Sequence, residues 1–208
     1  MDMDRLVGIF ALLFAVAISV RVYLVYLKNG RLPVILNSGD AAHDYVHKVL
    51  AGIIVLEGIN ILMFRLQALS AYLTNNPEPT FYLFLGPIRS IETPTAQFFG
   101  LAIAYLGLLW VVVAQHQMGR DWRIGIDVKH ETSLVTRGLY TTSRHPIYLG
   151  FIVITIGLFF AVPNVVSLVC AVLTTVVLSI EARLEEQFLL SRHGNTYREY
   201  LAHTRRWI

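Results

Sequence analysis

Long apolar blocks alternate with short polar connectors along this chain. The first block runs from about Leu6 to Leu27, the second from roughly Tyr45 to Leu69, and the third from about Ala96 to His116. Two shorter blocks, Ile147–Val162 and Val165–Ile180, are separated only by Pro163-Asn164. A helix needs about 20 apolar residues to cross a bilayer core, so the first three blocks suffice and the last two, at about 16 each, fall slightly short. Together the last two are too long for one span, and Pro-Asn is a turn signal, so they predict a helical hairpin. The pattern as a whole predicts an all-α integral membrane protein of about five transmembrane helices. It forms a single membrane domain over 1–208, with helices one to three in 1–114.

The connectors refine this plan. Lys28–Ala42 carries an Asn29-Gly30 turn and Pro33, which blocks a regular helix, with Val34-Ile35-Leu36 as an apolar patch. Asn75–Pro94 contains Pro77, Pro79, Pro87 and Pro94. From Glu181 the tail reads as a helix ended by Gly194 as a C-cap, followed by a second short helix over about Thr196–Thr204. The opening residues, MDMDR, are acidic, which argues against a cleaved signal peptide with its positive n-region.

Charge then orients the bundle. Cytoplasmic loops carry an excess of Lys and Arg. An extracytoplasmic N-terminus puts Lys28 and Arg31 inside, and the Pro-rich connector with Glu78, Arg89 and Glu92 outside. Arg120, Arg123, Lys129, Arg137 and Arg144 then fall inside, as do Arg183, Arg192, Arg198, Arg205 and Arg206 of a cytoplasmic tail. Arg65 is a mild exception. Composition agrees with a membrane protein: 55% hydrophobic and 15% charged residues, against about 25% charged in a soluble domain. The pI near 9.1 reflects basic residues flanking apolar blocks without a Lys/Arg-rich tract, which fits a membrane surface and not nucleic acid. One cysteine, Cys170, excludes an intrachain disulfide, and there is no zinc motif. Three polar residues sit inside blocks. Arg21 either snorkels to the interface or faces the bundle. Glu57 shares a helix face with Asn60 and is either a functional acid or a partner for Arg21.

Candidate chemistry gathers on the expected cytoplasmic side. The stretch Leu134–Gly150, LVTRGLYTTSRHPIYLG, is polar and basic and runs straight into an apolar helix. Pro146 suits the first helical position, which leaves His145 near the N-cap and the first-turn N–H groups facing the loop. A helix start flanked by Arg144 and His145 favours an anionic group. A second cluster, Glu181, Arg183, Glu185 and Glu186, leaves the end of the fifth block. Glu181 and Glu185 share one face there, and Arg183 and Glu186 another. It reads either as an ordinary charged helix end or as part of a site.

These motifs together resemble a known family. Gln115-His116-x2-Gly119, Leu134-Val135-Thr136-x-Gly138-x-Tyr140, Arg144-His145-Pro146-x-Tyr148-x-Gly150, Arg183-x-Glu185-Glu186 and Gly194-x2-Tyr197-x2-Tyr200 stand in the order and spacing of isoprenylcysteine carboxyl methyltransferases. They resemble more loosely the integral-membrane phospholipid N-methyltransferases. The resemblance covers about His116 to Ile208, marking 115–208 as the catalytic and cofactor-binding region. It implies S-adenosylmethionine as cofactor, in a cytoplasmic pocket built from the loop before the fourth helix and the C-terminal helices. It carries over His145 and Tyr148 as cofactor contacts supported by Arg144, with His116, Leu134, Val135, Gly138 and Tyr140 around the cofactor and Glu185 or Glu186 on its polar groups. The absence of a GxGxxG after a strand agrees with a pocket that is not a Rossmann domain. Family members commonly carry a Gly/Pro segment after the paired tyrosines, and His203–Ile208 has no proline, which leaves the shape of the substrate entrance open.

The acceptor implied is a lipophilic molecule entering from the bilayer, first of all the α-carboxylate of a prenylated cysteine. A carboxylate is already ionised and needs a cation to position it, a role assigned to Arg183. An amine, as in phosphatidylethanolamine, needs a general base, a role open to Glu186 or Glu185. The competing classes are an NADPH-dependent sterol-type reductase, which needs more Arg/Lys for the extra phosphate, and a non-enzymatic membrane scaffold.

Overall fold

The computed structural model describes residues 3–35, 40–74, 80–125 and 133–208. Leu36, Pro77, Glu78, Pro79 and Lys129, named in the expectations above, lie outside these residues. The described residues fold into helices α1 Met3–Asn29, α2 Ala41–Thr74, α3 Thr80–Leu83, α4 Pro94–Met118, α5 Pro146–Ala161 and α6 Val165–His203. Four of them, α1, α2, α4 and α6, are long and apolar enough to cross a membrane, and α5 is a shorter apolar helix. Leu12, Tyr23, Ile54, Leu106, Leu109 and Val172 are among many large apolar side chains left exposed on their outer faces. Exposed apolar area on this scale marks a lipid-facing surface. The chain is a multi-pass membrane protein.

The apolar helices alternate in direction. Arg65 near the end of α2 donates to the carbonyl of Asp4 at the start of α1 at 3.2 Å. At the opposite end Asn29 of α1 donates to the carbonyl of Arg120, just beyond α4, at 2.8 Å. The α5–α6 turn is held as the sequence predicts, and more tightly. Asn164 caps α6 by accepting from the Ser167 N–H at 2.9 Å while its own N–H donates to Ser167 Oγ. Its amide donates to Asn60 Oδ1 on α2 at 2.7 Å. The Pro-rich connector joins in, with Ile88 N–H on the Pro163 carbonyl and Val165 N–H on the Gly86 carbonyl.

The closest helix pair is α4 with α5, and small residues make it so. A Cβ added at Gly157 would lie 2.6 Å from the Ala104 nitrogen and the Gly100 oxygen, and one at Gly150 would lie 2.5 Å from Val111. Within a bilayer, where lipid tails are as apolar as leucine, such backbone approach is a main source of helix–helix attraction. Around it Val7 and Phe10 of α1, Ile61 and Phe64 of α2, Leu101 and Leu108 of α4 and Ile154 and Leu158 of α5 form the core.

Two readings are settled here. The fifth block runs on without a break into the tail helix read from Glu181. α6 runs on from the hairpin through Glu181, and its 39 residues, at 1.5 Å each, reach far beyond a roughly 30 Å core. Its apolar part ends at Ile180, and the rest projects from the membrane. The predicted break at Gly194 is real: with φ 53° and ψ −121° this residue is non-helical, and a short second helix follows it to His203. Arg21 does not pair with Glu57. It reaches toward the end of α4, donating to the Gly119 carbonyl and standing 5.4 Å over the Trp122 ring. Glu57 stays buried with Asn60, whose amide is 3.4 Å away.

Candidate active site

The site is built where α5 begins. Pro146 opens the helix, and the N-cap residue His145 does not use its side chain as a cap. That side chain instead bridges two carboxylates of α6, with Nδ1 3.3 Å from Glu185 Oε2 and Nε2 3.3 Å from Glu186 Oε1. Its ring stacks on Tyr148 at 5.3 Å and 5°. Burial disfavours the imidazolium, but the two glutamates outweigh it, and the net shift is upward from the ordinary histidine range. Glu185 and Glu186 are both held below the carboxylate range: burial pushes each up, and His145 with its neighbours more than offsets it.

Arg144 and Glu186 form the frame of this turn. The guanidinium meets Glu186 Oε1 through Nε at 3.1 Å and Nη2 at 3.0 Å. Its Nη1 donates to the carbonyls of Leu201 and Thr204 at 3.3 and 3.0 Å, which caps the end of α6. Arg206 completes the frame with a fork onto both oxygens of Glu186, at 2.9 and 2.6 Å. Residues 205–207 fold back along the turn: Arg144 N–H donates to the Arg205 carbonyl, Ser143 Oγ donates to the Arg206 carbonyl, and Trp207 packs 6.3 Å from His145. The segment that departs from the family pattern thus braces the Arg144-His145-Pro146 turn.

Two cavities meet behind it. A polar cavity of about 100 Å³ is lined by Leu134, Val135, Tyr140, Glu185, Tyr197 and Tyr200 among others. An apolar cavity of about 480 Å³ runs between α1, α2 and α5, past Phe14, Leu50, Ile54, Phe151 and Leu158, as deep as Glu57. His47, Tyr140, Arg144, Tyr148, Glu181 and Glu185 line both and mark the junction. Tyr140 is positioned by its turn: Leu139 N–H donates to Gln117 Oε1 at 2.7 Å, and Tyr200 OH donates to the Tyr140 carbonyl at 2.6 Å. Burial raises the Tyr140 phenol well above its usual range, and the nearby Glu185 adds to this.

The structure therefore brings together Leu134, Val135, Tyr140, Arg144, His145, Tyr148 and Glu185. Gly138 opens the turn that carries Tyr140, with φ 64° and its open side against the Gln117 side chain. Three expected residues stand elsewhere. His116 is exposed, and its neighbours Gln115 and Gln117 are the residues that face inward. Arg183 is exposed on α6 and lines neither cavity, because it stands two residues from both Glu181 and Glu185 and so points to nearly the opposite side of the helix. Glu186 lines neither cavity and is taken up by Arg144, Arg206 and His145. Sequence reasoning passed over His43, His47, Arg206 and Trp207. The His43-x3-His47 spacing at a helix start was the available signal for the first two.

Known proteins agree with this half of the chain. Residues 95–196 match the phospholipid methyltransferase family. A protein-S-isoprenylcysteine O-methyltransferase of Saccharomyces cerevisiae is 32% identical over 114 residues, 53% of this chain and 48% of the relative. A methanethiol S-methyltransferase of Pseudomonas sp. (strain GM41(2012)) is 26% identical over 125 residues, 55% of this chain and 46% of the relative. The chain spans about half the length of these curated relatives. Residues 95–196, the region that builds the α4–α5 pair, the Arg144-His145-Pro146 turn and most of α6, are thus similar to phospholipid methyltransferases, and about half of the chain is similar to an isoprenylcysteine methyltransferase.

Proposed function

We propose that this chain is an integral-membrane methyltransferase that takes its methyl group from S-adenosylmethionine and delivers it to a lipophilic acceptor. The observation that carries this reading is the junction of a polar and an apolar cavity at Tyr140, Arg144, Tyr148 and Glu185. A water-soluble donor and a bilayer-derived acceptor can meet only where two such spaces join. When bound, the cofactor supplies a methyl group on a cationic sulfonium.

The residues present fit that group. The α5 start lacks a side-chain cap, so its first-turn N–H groups can receive a carboxylate. Glu185, held ionised, can receive an ammonium. Tyr197 OH is buried in the polar cavity wall without a hydrogen-bond partner among the described residues and can meet a hydroxyl or ring nitrogen. The Tyr140 and Tyr148 rings at the junction suit a cation over their faces. Leu134 and Val135 give the polar cavity apolar wall for a base ring. His145 acts one step back, orienting Glu185 and Tyr148.

For the acceptor, the carboxylate of a prenylated cysteine remains the first candidate, in line with the substrate in the yeast relative's name. Arg144 and Arg123 line both cavities and are the cations placed for that role, while Arg183 takes no part in this reading. Holding donor and acceptor in line supplies up to about 7–11 kcal/mol of the barrier, so positioning is the main task. Calorimetry on the purified full chain tests the cofactor. Binding of S-adenosylmethionine is expected, and His145→Ala should weaken it at least tenfold, about 1.4 kcal/mol. Unchanged affinity in a folded variant would remove His145 from the site.

A further inference from the structure

The inner end of the apolar cavity holds open space that helix packing does not require. From the junction the cavity follows one face of α2, past His47, Leu50, Ile54, Gly58 and Ile61, positions three or four apart on a helix. Phe14 of α1 and Phe151 of α5 line it as well and pack edge to face, with ring centroids 6.1 Å apart. Gly58 is unlike the glycines of the α4–α5 pair. A Cβ added at Gly100, Gly107, Gly150 or Gly157 would lie within 2.9 Å of a neighbour, whereas one at Gly58 would meet nothing within 4 Å. Gly58 does not have a positive φ either. Glycine in a helix interior costs about 1 kcal/mol relative to alanine. Close approach of backbones accounts for the first four glycines. At Gly58 the missing side chain leaves only room on the cavity wall.

The place of Gly58 along α2 gives that room a depth. It lies eleven residues beyond His47, about 16 Å at a rise of 1.5 Å per residue. Half of a roughly 30 Å hydrocarbon core is about 15 Å, so Gly58 stands about one leaflet below the junction. An extended hydrocarbon advances about 1.3 Å per carbon, from bonds of about 1.5 Å at tetrahedral angles, so a chain of about 13 carbons held at the junction reaches Gly58. The cavity continues one turn further, to Ile61.

We propose that Gly58 sets the chain length of the acceptor: the site selects amphiphiles whose apolar chain exceeds about 13 carbons, and that chain passes Gly58 to fill the inner end of the cavity. The proposal rests on the reading of this cavity as the acceptor's and adds to it a residue that measures the tail, whatever the reacting head. A shorter chain leaves the inner end unfilled, and wall atoms without partners there forfeit their dispersion contacts. A side chain at position 58 would occupy the same room and exclude the end of a long tail. The family match over residues 95–196 includes neither α1 nor α2, so this wall of the cavity lies outside it.

The test compares N-acetyl-S-hexadecylcysteine with N-acetyl-S-octylcysteine, by calorimetry on the full chain in lipid nanodiscs without cofactor. Gly58→Leu should weaken binding of the hexadecyl compound relative to the octyl compound at least tenfold. Gly52→Leu is the control. A Cβ at Gly52 also meets nothing within 4 Å, but that residue does not line the cavity, and the ratio should stay within about twofold of the parent's. An unchanged ratio in Gly58→Leu, an equal change in Gly52→Leu, or a parent that binds neither compound would overturn the proposal. A second measurement needs no variant. A hexadecyl compound with a diazirine at its thirteenth carbon should, on irradiation, label α2 between Ile54 and Ile61, in competition with the unmodified compound. Labelling absent from that stretch would also overturn it. Binding of S-adenosylmethionine to the parent is measured separately. Its absence would bring down the methyltransferase reading and leave the chain-length ratio standing, so the two failures are distinct.

Discussion

His145 stands between Glu185 and Glu186 with each ring nitrogen facing a carboxylate oxygen. Only the doubly protonated ring donates to both. This arrangement ties stability to pH in a defined sense. The histidine is raised above its unfolded value of 6.5, so its contribution is full below that value and is lost as pH rises through the folded value. The two glutamates are lowered from 4.5, so theirs is full above that value and is lost as pH falls through their folded values. All three contribute fully only between pH 4.5 and 6.5. The thermal unfolding midpoint in detergent should peak in that window, and His145→Gln should remove the decline on its alkaline side. A parent midpoint that rises steadily from pH 5 to 8 would contradict the bridge. At this scale the sequence showed the participants and not their assignments. The residues Arg144, His145, Glu185 and Glu186 were all evident, but adjacent helical positions such as Glu185 and Glu186 point in different directions. Which of Glu185 and Glu186 faces the cavities depends on how α6 is rotated about its axis, and that rotation is set by packing against α2 and α5. Arg183 was misdirected in the same way: its spacing from Glu185 placed it near the site along the chain but on another face of the helix.

Helices fared better, because their signal is long. Five apolar blocks became α1, α2, α4, α5 and α6 with ends close to those expected, and the Pro163-Asn164 turn appeared as a capped hairpin. α6 continues past Ile180 as the tail was read to do, since the change from apolar to charged residues marks the edge of the membrane and not the end of a helix. Harder to read was the pairing of helices. Gly100 and Gly107 on α4, and Gly150 and Gly157 on α5, recur at seven-residue intervals, yet such glycines acquire meaning only when the two stripes are laid against each other. They let α5 sit directly on α4, and this contact carries the Arg144-His145-Pro146 turn to its place, with Trp110 Nε1 of α4 donating to the Pro146 carbonyl at 2.9 Å. Gly157→Leu therefore tests the coupling of packing to site. Its Cβ alone would meet backbone atoms at 2.6 Å, and backbone cannot yield as a flexible side chain can. Overpacking of this kind costs about 1–3 kcal/mol and occasionally more. The variant should unfold at lower temperature and bind S-adenosylmethionine more weakly, although residue 157 lies in the middle of α5 and touches neither cavity. Full retention of both properties would show that the α4–α5 contact does not position the turn.

At the scale of the molecule, polarity is divided between the two ends of one bundle. The connectors after α1 and α4, the start of α2 and the projecting part of α6 gather at the end that holds the junction. There Arg21 and Asn29 of α1 meet the backbone of Gly119 and Arg120, and His43 of α2 meets Glu181. The other end holds the α5–α6 turn, stitched to the Pro-rich connector. The basic residues follow this division. Arg120, Arg123, Arg137, Arg144, Arg192, Arg198, Arg205 and Arg206 belong to the junction end, against Arg5, Arg65 and Arg89 toward the other. We propose, from the positive-inside bias, that the junction end faces the cytoplasm; alternation of α1, α2, α4, α5 and α6 then puts Met3 on the far side. The proposed orientation has a functional consequence: on the methyltransferase reading the polar cavity opens to the compartment that supplies a charged, water-soluble cofactor, while the apolar cavity faces the bilayer from either orientation. Single cysteines placed at Met3 and at the exposed Arg192, each in a Cys170→Ser background, test it with a membrane-impermeant thiol reagent on sealed vesicles of known sidedness. Cys170 is buried and must be removed only to exclude slow background labelling. The cysteine at 192 should react from the cytoplasmic face and the cysteine at 3 from the opposite face. Reaction of both from one face would require an even number of crossings between the two positions and would overturn the alternation of α1, α2, α4, α5 and α6.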